Sequence, residues 1–302
     1  MEASKERRIS GTIRSATTRI AATTVVAAAL AAGLLVSCTD KSHEDAVAQG
    51  PVNAQTIFSM VPNREMMLTF IRNREGRELL ANTRGPQGVS ALHLAVFAHD
   101  AVALELMKSP EGWLLLEDTK DLNGDSALLL AALKHETVAL ELIKTPEGRG
   151  FLANTSMGGS TTLLRGVVAR YGDVALELIK TQEGRDFLAN ARGPDGASAL
   201  EGAIVYHEDV ALELVKTREG QEFLKNTRTA IGGNVLSVAA GFYESVDLEL
   251  IKTEEGRAFL ETTKDSSGTS LLAWAVSRRP NVAAELERIS PDTAKKLLRT
   301  AE

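Results

Sequence analysis

The chain has 302 residues, of which 44% are hydrophobic and 25% charged, and a formal net charge of −6. This is the composition of a globular protein of one or two domains, and its acidic balance argues against nucleic acid as a partner. A single cysteine, Cys38, excludes an intramolecular disulfide.

Residues 1–37 open with a basic segment carrying Lys5, Arg7, Arg8, Arg14 and Arg19, followed by the uncharged run AATTVVAAALAAGLLVS. A basic start before a short apolar run is the pattern of a bacterial export signal. Without this segment the balance is 29 basic to 38 acidic residues. The stretch Leu35-Val36-Ser37-Cys38 resembles the lipobox of bacterial lipoproteins. The resemblance implies cleavage before Cys38, acylation of Cys38 with palmitate-type chains, and a lipid anchor on the periplasmic side of a membrane. Thr39 follows the cysteine where some Gram-negative lipoproteins carry an inner-membrane aspartate, so the outer membrane is favoured over the inner. An uncleaved transmembrane anchor and a buried structural cysteine are the other readings. Residues 38–56 are polar, lack an apolar period, and read as a lipidated cysteine and flexible tether.

From residue 57 to 302 the chain repeats. VALELMKSPEG begins at Val102, VALELIKTPEG at Val138, VALELIKTQEG at Val174, VALELVKTREG at Val210 and VDLELIKTEEG at Val246, with 36 residues from each start to the next. Such copying marks a stack of units that bury their faces against one another. MMLTFIRNREG from Met66 is a worn copy, and VAAELE from Val282 loses the motif. Both suit capping units.

Three pieces make a unit. The first is SALHLAVFA from Ser90, recurring from Ser126, Thr162, Ser198, Asn234 and Ser270, and its opening hydroxyl or amide suits a helix N-cap. The second, VALELIK, places Val138, Leu142 and Ile143 on one helical face and Glu141 and Lys144 on the other. The Glu and Lys columns suit ion-pair ladders, minor beside burial of the Leu92, Leu128, Leu164, Leu200, Leu236 and Leu272 column. The third, TPEGRGFLANT from Thr145, has an N-cap threonine and a proline at the first helical position, but Gly148 weakens a helix there. It reads as a short helix or helical turn, with a hairpin finger as the alternative. A glycine-bearing turn closes the unit, with Gly88, Gly124, Gly196, Gly232 and Gly268 in one column and Ser160 as the exception.

The stretch GVSALHLAVFAHDAVALELMK from Gly88 resembles the ankyrin repeat, with its glycine turn, T-P-L-H-x-A motif and apolar second helix. Alanine replaces the motif's proline, only His93 keeps the first histidine, and the period exceeds the family's usual period of about 33 residues. The resemblance implies an all-α, ankyrin-like α-solenoid with degenerate capping repeats at both ends. It also implies protein binding on the concave face.

No motif for catalysis is present: GxSxG, HExxH and GxxxxGK[ST] are all missing. His99, His135 and His207 share a column, but packed helices about 8–10 Å apart hold them too far from one another for a metal. The resemblance gives them bonds to connecting turns instead. No cofactor, metal or nucleic acid is expected. Positions that differ between units are free to specialise. They include the turn position of Asp125 and the first-helix ends, where Phe97, Lys134, Arg170, Tyr206, Phe242 and Arg278 are the candidate partner-binding residues. The expected function is a tethered protein-binding scaffold, either neutralising an envelope toxin or supporting an envelope enzyme. An envelope hydrolase with an unrecognised site and a passive structural lipoprotein are the alternatives.

Overall fold

The computed structural model describes residues 54–300 except 86, 87, 160 and 266. Residues 1–53, including the expected signal and Cys38, lie outside the described residues. The chain divides after Pro62. Before that point one helix is described, Ala54–Met60, which overlaps the last residues assigned to the tether.

The part from Asn63 onward is helical, apart from one two-stranded hairpin, Ser156–Met157 with Thr161–Thr162. Its helices come in threes. The first helices are Ala91–Ala98, Ala127–Lys134, Leu163–Arg170, Ala199–Tyr206, Val235–Phe242 and Leu271–Arg278. The second helices are Asp100–Leu106, Glu136–Leu142, Gly172–Ile179, Glu208–Val215, Glu244–Leu250 and Pro280–Ile289. The third helices are Pro110–Asp118, Pro146–Asn154, Gln182–Asn190, Arg218–Asn226, Glu254–Thr262 and Pro291–Thr300. Arg64–Ile71 and Arg74–Asn82 stand as second and third helices ahead of the first full unit.

Helices of 7–10 residues lie below the length at which an isolated helix is stable, so packing must hold them. First helices pack on first helices of the next unit, and second on second. Each third helix but the last joins the second helix of its own unit to the first helix of the next, and Pro291–Thr300 packs on both other helices of its own unit. Three columns form the core. Leu92, Leu128, Leu164, Leu200, Leu236 and Leu272 are each at most 1% exposed. Val102 to Val282 and Leu80 to Leu260, at the same interval, are fully buried in every unit. Each such side chain contributes about 1.5–3 kcal/mol.

The expected caps are in place. Ser90, Ser126, Thr162, Ser198, Asn234 and Ser270 each accept a backbone N–H three residues on. Asn73, Ser109, Thr145, Thr181, Thr217 and Thr253 do the same for the third helices. The TPEG segment is therefore a full helix, and the glycine that weakened that reading has a different purpose. A Cβ on Gly76, Gly112, Gly148, Gly184, Gly220 or Gly256 would overlap the carbonyl oxygen of Phe70, Leu106, Leu142, Leu178, Leu214 or Leu250 respectively. Glycine lets the third helix start against the end of the second. The next residue closes that end: Arg149 and Arg185 donate to the Ile143 and Ile179 carbonyls at 3.0 Å, and Gln221 to that of Val215 at 2.7 Å.

The third helix does not displace the turn before each first helix. Pairs such as Lys120 with Ser126 close that turn by one antiparallel bridge. Its glycine takes a left-handed backbone, as Gly124 does at φ 85°. Before the first helix Leu163–Arg170, the two-residue pairing of Ser156–Met157 with Thr161–Thr162 takes the place of the single bridge.

Candidate interaction surface

One residue joins each first helix to its second: His99, His135, Tyr171, His207, Tyr243 and Arg279. It caps both helices with its backbone, and most of these side chains reach back to the preceding unit. His135 Nε2 donates to the carbonyls of Val96 and Phe97 at 2.9 and 3.0 Å. Tyr171 and Tyr243 donate to Leu133 and Val205 at 2.8 and 2.9 Å. Arg279 donates to Ala240 at 2.8 Å and Gly241 at 3.0 Å. These are the carbonyls that a helix C-terminus leaves without partners. His207 differs, because its Nε2 is buried with no partner among the described residues.

The candidate stripe sits immediately before this junction. Lys134, Arg170, Tyr206, Phe242 and Arg278 are each the last residue of a first helix, and all five are exposed. They occupy equivalent positions on consecutive packed helices, so each follows the last across the units. Lys134 Nζ lies 4.7 Å from the centre of the half-buried Phe97 ring, which brings those two candidates together. Arg170 lies 5.5 Å from the Tyr171 ring centre, and its Nε donates to the Tyr171 hydroxyl at 3.1 Å. Arg278 lies 5.7 Å from the Trp274 ring centre. Tyr206 and Phe242, between them in the stack, are 51% and 52% exposed. Phe242 rests on Tyr243, with ring centres 6.2 Å apart.

Asp125 stands apart. It precedes N-cap Ser126, at the opposite end of its helix from Lys134, and an eight-residue helix spans about 12 Å. It is half-buried, and burial together with nearby Asp121 raises its carboxyl pKa. Its carbonyl accepts from His93 Nε2 at 3.2 Å. Burial lowers the pKa of His93, which favours the neutral ring, and its Nδ1 accepts the Ser90 N–H at 3.2 Å. Arg165 and Glu201 occupy the same column as His93 and also reach the next turn, through Asp195 and the Ala230 N–H.

The carboxylates of the copied motif are engaged. Lys108, Lys144, Lys180, Lys216 and Lys252 each pair with the glutamate three residues earlier, inside one unit. These pairs repeat from unit to unit without linking one unit to the next, and a separate ionic link runs between units. It is made by Arg149 with Glu183 at 2.7 Å and by Arg185 with Glu219, on the third helices. Between second helices runs a shallow groove of about 580 Å³ lined by Leu140, Leu176 and Leu212 among those pairs. Among the described residues no group of three or more His, Cys, Asp or Glu is placed to hold a metal ion. No described helix is long and apolar enough to cross a membrane.

One ionic pair escaped the sequence reading. Asp247 stands where other units have Ala103, Ala139, Ala175 and Ala211, and its side chain is 1% exposed. It pairs with Arg279, 11% exposed, in the next unit. Burial pushes the Asp247 carboxyl up to about 7, aided by Glu244 and opposed by Arg279. Asp247 Oδ1 and Glu244 Oε1 are buried without partners among the described residues. The signal was present as two departures from the repeat, an acid in the alanine column and an arginine in the histidine–tyrosine column.

No family model matches the chain, and no curated protein matches it in sequence.

Proposed function

We propose that the chain is an ankyrin-like solenoid tethered through Cys38 to the periplasmic side of a bacterial membrane, where it binds a protein partner and performs no catalysis. The outer membrane is the favoured site. What carries this reading is a division of labour between positions. Most copied residues are buried or spent on bonds within and between units. Uncopied residues at the first-helix ends face solvent in consecutive units, and beside Lys134 they are arginine and aromatics, the types that anchor interfaces. In an ankyrin-like stack this edge belongs to the concave face. A lipid-anchored binder there would either neutralise a toxin delivered to the envelope or support an envelope enzyme.

The test is an envelope pull-down with the full chain beside a variant carrying Arg170→Ala, Tyr206→Ala, Phe242→Ala and Arg278→Ala. A single stoichiometric partner that is lost with the variant supports the reading, and its identity chooses between toxin and enzyme. Capture of the same partner by the variant overturns the stripe assignment. For the anchor, Cys38→Ser is expected to move the protein from the membrane to the soluble fraction. Unchanged membrane retention would remove the lipoprotein reading.

A further inference from the structure

We infer that the partner meets this stripe with an acidic surface, carboxylates set among apolar side chains. The inference rests on the stripe being the binding edge. It comes from how the chain handles its cations. The five lysines that follow the second helices are each paired with a glutamate in their own unit. The three stripe cations are treated differently. Among the described residues no carboxylate pairs with Lys134, Arg170 or Arg278, and each instead lies over an aromatic ring, of Phe97, Tyr171 or Trp274. An aromatic face steadies a cation while leaving its charge open to a second partner.

The second-helix N-termini carry carboxylates where the helix dipole favours them. Glu136 and Asp173 follow Lys134 and Arg170 by two and three residues, and among the described residues neither forms an ion pair with them. Burial raises the Tyr171 phenol pKa, and Glu136 lies close enough to add to that rise. Their equivalents beside Phe97 and Tyr206, Asp100 and Glu208, are turned toward the following unit, accepting from Thr137 at 2.9 Å and from Ser245. In a chain of net charge −6, a line of unneutralised cations on one edge is a local inversion of the surface. Such an inversion selects and orients an acidic partner and repels a basic one.

Tyr206 and Phe242 occupy the two units between Arg170 and Arg278. Packed helices about 8–10 Å apart put those two guanidiniums about 24–30 Å from each other, which is the reach of a protein epitope. Nucleic acid and anionic lipid fit less well. Three cations release few counterions, and the rest of the chain repels a phosphate surface. The two central aromatics call for apolar side chains between the carboxylates.

The experiment is selection of random displayed 16-residue peptides on the immobilised full chain. Two variants are run beside it, each checked for helical content. One carries Lys134→Glu, Arg170→Glu and Arg278→Glu, and the other Tyr206→Ala and Phe242→Ala. Expected are sequences rich in Asp and Glu with interspersed aromatics. A synthesised peptide should bind the charge-reversed variant about tenfold or more weakly and should weaken as salt rises. Neutral or basic peptides that bind through Tyr206 and Phe242 would sink the acidic inference and leave the scaffold reading standing. Peptides indifferent to both variants, or no enrichment at all, would sink both. Binding of phosphatidylglycerol vesicles that the charge-reversed variant loses would assign the edge to lipid and also overturn the inference.

Discussion

Replacing Asp247 by Ala and Arg279 by Tyr together restores what other units carry at these two positions, as in the pairing of Ala139 with Tyr171. The perturbation removes the buried ionic pair without leaving half of it behind. The carboxyl's pKa is raised from 3.8 to about 7 on folding. The folded chain therefore binds a proton more readily than the unfolded chain between those values, and stability falls as pH rises through that window. Below the unfolded pKa the favourable contribution is complete, and above the folded one it is gone. Going from pH 8 to about pH 5, the wild type should gain about 2–3 kcal/mol relative to the double variant, in which neither position titrates within that range. At pH 8 the double variant should equal or exceed the wild type, by about 1–4 kcal/mol, since apolar replacement of a buried pair is often neutral or stabilising. Arg279→Tyr alone should be worse than the double variant at pH 8, because it strips Asp247 of its counter-charge. The assay is urea unfolding at both pH values, with amide exchange in Pro280–Ile289 to localise the effect at the last unit. Parallel pH dependence of wild type and double variant would refute the reasoning, as would a wild type that weakens on acidification relative to the variant.

The two glycines of the helix Pro146–Asn154 should respond oppositely to alanine. Gly148→Ala forces a methyl into the Leu142 carbonyl and should lower stability by about 1–3 kcal/mol, whereas Gly150 has nothing within 4 Å of its added Cβ, so Gly150→Ala should raise it by about 0.5–1 kcal/mol; thermal melts of both decide. Tyr243→Phe removes the donor to the Val205 carbonyl and should cost about 0.5–1.5 kcal/mol in urea unfolding, with exchange of the Val235–Phe242 amides accelerated. Leu164→Ala should cost about 2–5 kcal/mol, while Glu141→Gln, which breaks an exposed pair with Lys144, should cost under about 0.5 kcal/mol by the same measurement.

Much of this fold is legible because it is local and repeated. Ser126 and Thr145 announce helix starts through chemistry that acts within three residues. The Leu164 column announces the core through period alone. Gly148 was harder, because local propensity counts it against a helix. Its reason is the approach of a backbone carbonyl six residues earlier, which only the packed chain reveals. The glutamate–lysine columns were legible as pairs three residues apart, and they form so within each unit. The links between units instead join Arg149 to Glu183, residues of different columns. His135 was expected to bond a connecting turn, and it bonds instead the last carbonyls of the preceding unit's first helix. Tyr171, Tyr243 and Arg279 do the same job with other donors, and comparing residue identity rather than donor capacity hid them. Of the candidate surface residues, six were recognised as first-helix ends. Asp125 was grouped with them through shared variability, though it sits at the far end of its helix.

The junction column also bears on how such a surface can change over generations. The donor that grips the preceding unit and the side chain presented to solvent are adjacent residues, as in Arg170-Tyr171 and Phe242-Tyr243. Substitution at the first leaves the grip of the second intact. A duplicated block of 36 residues carries its own cap, its own glycine contact and its own donor, so it inserts as a complete rung. The exposed stripe can therefore be lengthened by whole rungs and rewritten one letter per rung, with little cost to the stack that displays it.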